Sequence, residues 1–144
     1  MSLFSLLSVS ASGMAAQRTR AELLVENLAN AETTRTPEGG PYRRKDVVFE
    51  STAVSSPFSS IFSSQLQSVG GVTVSDVITD PSDPVQRYVP GHPDANADGY
   101  VAFPKINPAE DMVDLMDASR SYEANVAAIS AVKDMIHSSI DLAR

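Results

Sequence analysis

The sequence lacks cysteine and tryptophan, and it contains few aromatic residues and little basic charge. Among its 144 residues there is no Cys and no Trp, and aromatic residues make up only 6% of the chain. The absence of cysteine excludes a disulfide framework, a thiolate metal site and a cysteine nucleophile. Hydrophobic residues make up 42% of the chain, and because so few of them are aromatic, any core is built mainly from aliphatic side chains and methionine. This composition favours helix-on-helix packing.

The charge balance is acidic and unevenly distributed. The formal net charge is −7 at neutral pH. Proteins that bind nucleic acids rely on many contacts from Lys and Arg to phosphates, so this balance argues against a nucleic-acid partner. Residues 1–45 carry six basic and four acidic side chains, whereas residues 46–108 and 109–144 are both net acidic. Regions of opposite charge at the two ends of a chain are typical of surfaces that associate.

No segment of the sequence indicates insertion into a membrane. A transmembrane helix needs about 20 consecutive apolar residues, and the longest candidate near the start, residues 3–9, is interrupted by Ser5 and Ser8. A secretory signal peptide has Lys or Arg before its apolar segment, and this sequence has neither there. We therefore expect no membrane insertion and, if the protein leaves the cytoplasm, export without a cleaved signal peptide.

The first 31 residues predict a long helix with an apolar seam. They contain no proline and can be placed on a heptad repeat. One heptad position is occupied by Leu7, Met14, Ala21 and Leu28, and its partner position by Leu3, Ser10, Gln17, Leu24 and Ala31. Small residues between Ala11 and Ala16 permit close approach of another backbone but weaken an isolated helix. This helix therefore needs neighbours.

Residues 107–144 predict a second long helix, and its start is well marked. Asn107 offers an N-cap, Pro108 suits the first helical position, and Glu110 resembles the acidic residue of a capping box. Downstream, one row recurs every seven residues at Leu115, Tyr122, Ile129 and Ile136, and a second at Met112, Ser119, Val126, Lys133 and Ile140. The stripe is typical of a coiled coil, although an amphipathic helix lying on its own domain is the alternative.

The segment between the helices predicts a small β module. It contains eight of the nine prolines and a Ser-rich stretch over residues 51–64 that we interpret as a mobile loop. Short strands are predicted at residues 46–50, 72–78, 86–89 and 100–103. The expected fold is thus mainly α with a small β module, and the long terminal helices pair as a coiled coil. We divide the chain into residues 1–36, 37–106 and 107–144.

From the heptad rows we predict a subunit interface on both helices. A chain of this length has little surface of its own over which to bury two such helices, so we expect the termini to pair and to be buried further in partners. The predicted interface consists of Leu7, Met14, Ala21, Leu28, Met112, Leu115, Tyr122, Val126, Ile129, Ile136 and Ile140.

The sequence offers little that could carry catalysis or hold a metal ion. Residues 94–99 match the front half of an EF-hand calcium loop, but Lys105 stands where that loop needs a bidentate Glu. The alternative is a tight turn shaped by Asp, Asn and Gly. His92 beside Asp94 and Asp98 lacks a second strong ligand or a nucleophile. We predict no enzyme, no cofactor and no metal site, and a calcium-binding module and a hydrolase are the rivals that these residues disfavour.

Two further motifs have open interpretations. Arg43, Arg44 and Lys45 follow Tyr42 and form the basic cluster of the chain, which either anchors an acidic partner surface or belongs to a solvated loop. Asn27 and Asn30 lie near the end of the first helix, where Asn is well tolerated, and their simplest role is to end it.

Several segments of the sequence resemble bacterial flagellar rod and hook proteins. The N-terminal signature corresponds to residues 10–20, 26–31 and 33–34, and the C-terminal signature to residues 110–116 and 118–125. The resemblance is more specific to the short proteins of the proximal rod in three middle segments, residues 39–45, 48–49 and 90–101. The motif residues carried over are Asn27, Asn30, Tyr42, Arg43, Arg44, Lys45, His92, Asp94, Arg120 and Asn125.

This resemblance implies a non-enzymatic subunit of the basal-body rod, the drive shaft that transmits torque across the periplasm. It also implies export by the flagellar type III apparatus, pairing of the terminal helices in the inner rod, and an outer β-containing domain. The implied partners are copies of the chain itself, the rod proteins FlgB, FlgF and FlgG, the adaptor FliE and the export apparatus. The alternative within the family is another short rod protein such as FlgB, which the segments at residues 42–45 and 92–94 disfavour.

Overall fold

Along the chain, one long helix precedes four short strands and a second long helix follows them. The computed structural model describes residues 3–53 and 70–142. Helix α1 spans Leu3–Ala29 and helix α2 spans Pro108–Leu142. The strands between them are β1 (Lys45–Ala53), β2 (Gly70–Thr79), β3 (Val85–Tyr88) and β4 (Tyr100–Phe103). The predicted fold class is confirmed.

Helix α1 ends at Ala29, seven residues before the end of the N-terminal division that we placed at residues 1–36. The backbone N–H of Asn30 donates to the carbonyls of Glu26 and Asn27, and the Asn30 side chain donates to the Glu26 carbonyl at 2.9 Å. Asn30 Oδ1 in turn accepts a hydrogen bond from the Thr33 hydroxyl at 3.1 Å. These bonds satisfy carbonyl groups that the last helical turn leaves unpaired. Asn30 therefore ends the helix, as predicted.

Helix α2 begins as its sequence predicts. Asn107 Oδ1 accepts a hydrogen bond from the Ala109 N–H at 3.3 Å, and the Asn107 carbonyl accepts one from the Asp111 N–H at 3.1 Å. Pro108 occupies the first helical position, where its missing N–H costs nothing. The helix then continues for 35 residues, or about 50 Å at the usual rise per residue.

The four strands form two separate antiparallel hairpins. Strand β1 pairs with β2 from Lys45–Thr79 to Ala53–Gly70, with an irregularity between Val48 and Phe49, and strand β3 pairs with β4. The β1–β2 hairpin packs against α1. All four predicted strands are present. Residues 51–53, predicted as the start of a loop, instead belong to β1, and the rest of the Ser-rich stretch lies outside the described residues.

Two close approaches set the position of α1 between its neighbours. A Cβ placed on Gly13 would lie 3.2 Å from the Asn125 amide of α2, and one on Gly71 would lie 2.9 Å from the Ser12 hydroxyl. Ser12 Oγ also accepts a hydrogen bond from the Val72 N–H at 3.1 Å. Adjacent residues of α1 therefore hold α2 on one side and β2 on the other, which requires the small residues of this segment.

The seam between the helices is displaced from one of the two rows that the heptad predicts. In α2 the buried residues are Asp111, Ala118 and Val132, each of them one position before Met112, Ser119 or Lys133 of the second predicted row. One residue rotates a helix position by about 100°, so this second row is turned away from α1. Buried Ala118 is one heptad before Asn125 and so lies on the same side of α2 as the Gly13–Asn125 contact. In α1 the buried residues are Ala16, Leu24 and Asn27.

Neither described helix is long and apolar enough to cross a membrane.

Candidate functional site: a polar junction and an exposed helix flank

Asn27 lies at the centre of a set of buried polar contacts. Its side chain is fully buried, Nδ2 donates to the Lys45 carbonyl at 2.8 Å, and Oδ1 accepts from the Lys45 N–H at 2.9 Å. The Tyr42 hydroxyl donates to the same Oδ1 at 3.0 Å. Asn27 therefore joins the end of α1 to the start of β1. The prediction that Asn27 simply ends the helix is wrong.

Tyr42 and Lys45 close the same contact region from the strand side. Burial, followed by the negative charge of Glu26, raises the pKa of the Tyr42 phenol to about 12, so the hydroxyl stays protonated and available as a donor. Lys45 Nζ forms an ion pair with Glu26 Oε1 at 2.6 Å and lies 5.7 Å from the centre of the Tyr42 ring. One short segment is thus attached to the last turn of α1 by backbone, phenol and ammonium groups.

Arg44 carries these contacts to α2. Its guanidinium Nη2 lies 3.1 Å from Asp111 Oδ1 and 3.9 Å from Asp114 Oδ2, and its Nε lies 3.5 Å from Asp46 Oδ2. Arg20 of α1 reaches Asp114 Oδ1 at 3.4 Å. We call Asn27, Tyr42, Arg44, Lys45 and Asp111 the polar junction, because together they connect α1, β1 and the first turn of α2.

Asp111 is the most constrained member of the polar junction. Its side chain has no exposed surface, and neither carboxylate oxygen has a hydrogen-bond partner within the described residues. Burial raises the pKa of Asp111, and the nearby Arg44 opposes this effect. Sequence analysis missed this residue because an acidic side chain in the first turn of a helix normally faces solvent and complements the helix dipole.

The basic cluster at residues 43–45 does not act as one surface. Arg44 and Lys45 are paired with acidic groups of their own chain, and the Arg44 side chain is only 20% exposed. Arg43 alone points outward as an exposed residue. The interpretation of these three residues as an anchor for an acidic partner is therefore wrong for Arg44 and Lys45, since long-range pairing neutralises their charges.

The segment resembling a calcium loop is a structured turn between β3 and β4. Asn96 Oδ1 accepts hydrogen bonds from the N–H groups of Asp98 at 3.0 Å and Tyr100 at 2.8 Å. Asp94 accepts a hydrogen bond from the Thr34 hydroxyl at 2.8 Å and lies 3.8 Å from Arg35. The oxygens at the first and third loop positions thus bind the protein itself. Asp94 also connects this turn to the segment that follows α1.

His92 contributes to the same turn. Its Nδ1 accepts a hydrogen bond from the Asp94 N–H at 3.1 Å and lies 3.9 Å from the Asp94 carboxylate. Within residues 3–53 and 70–142, no group of three or more His, Cys, Asp or Glu side chains is arranged to hold a metal ion. The histidine thus has a turn-shaping role in the geometry.

The remaining predicted motif residues lie along α2. Asn125 packs over Gly13 and donates from Nδ2 to the Ser121 carbonyl at 2.9 Å. Arg120 is exposed and lies 4.0 Å from Asp117, one turn away on the same helix. The motif therefore divides into residues that join elements and residues, such as Arg43 and Arg120, that remain on the surface.

The predicted interface residues divide between the helix seam and the surface. On α1, Leu7, Met14, Ala21 and Leu28 are all half-buried. On α2, Leu115, Ile129 and Ile136 are half-buried, whereas Met112, Tyr122, Val126 and Ile140 are exposed. Within residues 3–53 and 70–142, the exposed group therefore has no partner helix in its own chain.

The exposed group forms one flank of α2. Met112, Val126 and Ile140 are separated by 14 residues, which is two heptads, so they share one side of the helix. They are 52%, 46% and 59% exposed, and Met116 and Tyr122 lie beside them and are exposed too. We call these five residues the α2 flank. An apolar row of this length is uncommon on a surface that has no partner.

Comparisons with known proteins show which family the sequence resembles. The family model described as the flagellar basal body rod FlgEFG protein C-terminal region matches residues 97–142, which include β4 and α2. Two curated relatives are the flagellar basal-body rod proteins FlgC of Bacillus subtilis, 45% identical over the whole of both chains, and of Borreliella burgdorferi, 38% identical over 97% of each. FlgC of Salmonella typhimurium is 37% identical over 99% of this chain and 98% of its own.

The full-length relatives and the family match place the chain in the class of flagellar basal-body rod proteins. Within that class, the full-length similarity shows that the chain belongs to the FlgC family. The resemblance noted in the sequence is thereby confirmed.

Proposed function

We propose that this chain is a structural subunit of the flagellar basal-body rod and that it assembles through the α2 flank. The observation that carries the proposal is the row formed by Met112, Val126 and Ile140, which is apolar, exposed and separate from the seam with α1. Family membership supplies the kind of assembly, because the relatives are named as rod proteins.

The two sides of α2 have different tasks in this proposal. The seam formed by Asp111, Ala118 and Val132 holds α2 on α1 within one subunit. The α2 flank packs against the next subunit, where burial of its side chains is favourable by roughly 25 cal/mol for each Å² removed from water. Contacts between different surfaces of identical subunits propagate when they do not close into a ring, which suits a rod.

The finer assignments follow from the same proposal. The partners are copies of this chain, the rod proteins FlgB, FlgF and FlgG, and the adaptor FliE, and the flagellar type III apparatus exports the subunit without a cleaved signal peptide. The rod transmits torque across the periplasm, and the subunit has no enzymatic activity. The polar junction supports this role because it keeps the helix pair and the β1–β2 hairpin in one arrangement.

A substitution in the α2 flank tests the proposal. Val126→Asp introduces a carboxylate at a position whose side chain is 46% exposed, so the isolated subunit should keep its stability. In the rod the same charge would be desolvated without a partner. We expect loss of swimming and a strong reduction of the subunit in purified basal bodies, while secretion into the medium continues.

The matched control introduces the same charge elsewhere on the helix. Ala131 is exposed on α2 but lies about 140° around the helix from Val126. Ala131→Asp should leave both swimming and the amount of subunit in basal bodies near the wild-type level. Normal swimming and normal incorporation of Val126→Asp would show that the α2 flank is not an assembly surface.

A further inference from the structure

The carboxylate of Asp111 is buried under conditions that disfavour its charge. Its side chain is 0% exposed, and both oxygens lack a hydrogen bond within the described part of the chain. Buried carboxylates in folded proteins are normally stabilised by several hydrogen bonds or by a well-aligned ion pair. Arg44 Nη2 lies 3.1 Å from Asp111 Oδ1, which is near enough for an ion pair, but the guanidinium is not oriented to donate a hydrogen bond to either oxygen.

The charges around Asp111 are unbalanced. Three carboxylates, those of Asp46, Asp111 and Asp114, share the guanidinium groups of Arg20 and Arg44. The full set of titratable groups at this position comprises Arg20 and Glu26 of α1, Tyr42, Arg44, Lys45 and Asp46 of the strand side, and Glu110, Asp111 and Asp114 of α2. The three carboxylates at ion-pair distance from Arg20 and Arg44, those of Asp46, Asp111 and Asp114, outnumber these two guanidinium groups by one.

We infer that Asp111 takes up a proton when the first turn of α2 docks over Arg44, so that closure of the polar junction is coupled to pH. A neutral carboxyl group reduces the excess negative charge that the three carboxylates place around Arg20 and Arg44. Arg44 keeps Asp46 and Asp114 as charged partners in this state. The coupling is independent of assembly, because every group involved belongs to one chain.

Two effects oppose protonation, and burial outweighs them. The positive charge of Arg44 and the N-terminal end of α2 both favour the carboxylate. Burial nevertheless raises the pKa of Asp111 above its ordinary value of 3.8, and the charges of Asp114, Asp46 and Glu110 act in the same direction. Because the folded pKa exceeds the unfolded one, the folded state binds more protons between the two values.

The sign of the stability effect follows from this linkage. The contribution of Asp111 is fully present below pH 3.8 and is lost as the pH rises through its folded pKa. This is opposite to the behaviour of a carboxylate that is stabilised by ion pairs. The first turn of α2 should therefore dock more firmly in mildly acidic than in neutral or alkaline solution.

The test compares the thermal midpoint of the full chain with that of Asp111→Asn from about pH 4.5 to about pH 8. The amide imitates the neutral carboxyl, so the variant should gain stability relative to the wild type as the pH rises. Asp117→Asn on the same helix is the control, because Asp117 is exposed and pairs only weakly with Arg120. Its difference from the wild type should not change with pH. Parallel melting of Asp111→Asn and the wild type at every pH would overturn the inference.

A second measurement covers the case in which Asp111→Asn does not fold. Carbon NMR of the wild type labelled at aspartate carboxyl groups follows each titration directly, in samples whose Lys45 N–H is protected from hydrogen exchange and whose polar junction is therefore closed. We expect the pKa of one aspartate, Asp111, to lie above the ordinary value because burial disfavours its charge. Titration of every aspartate at or below that value would contradict proton uptake on docking.

Discussion

The side-chain amide of Asn27 pairs with both backbone groups of Lys45. Its Nδ2 donates to the Lys45 carbonyl at 2.8 Å and its Oδ1 accepts from the Lys45 N–H at 2.9 Å, so the amide occupies the place of a neighbouring strand residue. The first residue of β1 is thereby paired with α1 on one side and with Thr79 of β2 on the other. A helix side chain thus fixes where the hairpin starts.

Replacement of Asn27 should therefore be costly. Asn27→Ala leaves the Lys45 backbone groups without partners, and we expect a loss of about 2 to 4 kcal/mol in the free energy of unfolding. Urea denaturation followed by circular dichroism measures the loss, and hydrogen exchange should show deprotection of the Lys45 N–H. Asn30→Ala is the control, because its bonds lie nearer to solvent, and about 1 kcal/mol is expected. Equal losses for the two variants would contradict the central role of Asn27.

The crossing of Gly13 and Asn125 predicts a steric limit on α1. A Cβ at residue 13 would lie 3.2 Å from the Asn125 amide, so the branched side chain of Gly13→Val must displace Asn125 and crowd the crossing. We expect a loss of about 2 kcal/mol or more in stability. Ala15→Val adds a branched side chain at an exposed position of the same helix and should cost about 0.5 kcal/mol.

The partner residue provides the second step of this test. Addition of Asn125→Ala to Gly13→Val removes the atoms that the new side chain meets and should restore part of the lost stability. A double-mutant cycle that shows no coupling between residues 13 and 125 would rule out this contact as the cause.

The pairing of Arg44 with Asp111 predicts unequal effects in the basic cluster. Arg44→Met removes the guanidinium that Asp46, Asp111 and Asp114 share and should cost about 3 kcal/mol of stability. Arg43→Met, one residue earlier, changes an exposed side chain and should remain within about 0.5 kcal/mol of the wild type. Thermal denaturation of both variants at neutral pH distinguishes them. A large effect at Arg43 would indicate that its charge has a structural partner.

Titration of Tyr42 predicts a stability change in alkaline solution. Its pKa is raised from 10.0 to about 12 in the folded chain, so the folded state keeps the proton after the unfolded state has lost it. The stability that Tyr42 contributes is present below pH 10 and is lost as the pH rises towards 12. Ultraviolet absorbance should detect one late-titrating phenol among the four tyrosines, and Tyr42→Phe should abolish it. Tyr88→Phe, at an exposed position, should leave that late step unchanged.

The long elements were accessible to sequence reasoning because their signals are local. A proline-free start, the Asn107–Pro108 cap and alternation in the short strands are determined by residues a few positions apart. The structure has both helices and all four strands near the predicted places. The same local logic correctly assigned Asn30 to the end of α1, because its partners Glu26 and Thr33 are close in the chain.

The seam between the helices was decided by the tertiary structure. Hydrophobic periodicity favours Met112 and Val126, but the chain buries Asp111 and Ala118 instead. Gly13 has no Cβ, which lets the helices approach at Asn125, and Asp111 is buried beside Arg44 rather than at this crossing. A heptad count weights large apolar side chains and cannot anticipate such a crossing.

The sequence by itself determined two terminal helices, a small β module and the absence of thiol chemistry, since composition and local spacing are sufficient for each. Only the tertiary structure decided what Asn27, Arg44, Lys45 and Asp111 do. Asn27 and Lys45 are 18 residues apart in the chain, and Asp111 is far beyond both. Asn27 meets Lys45 only when β1 packs on the end of α1, and Asp111 meets Arg44 only when α2 folds back along α1. Burial there converts ordinary surface residue types into the polar junction.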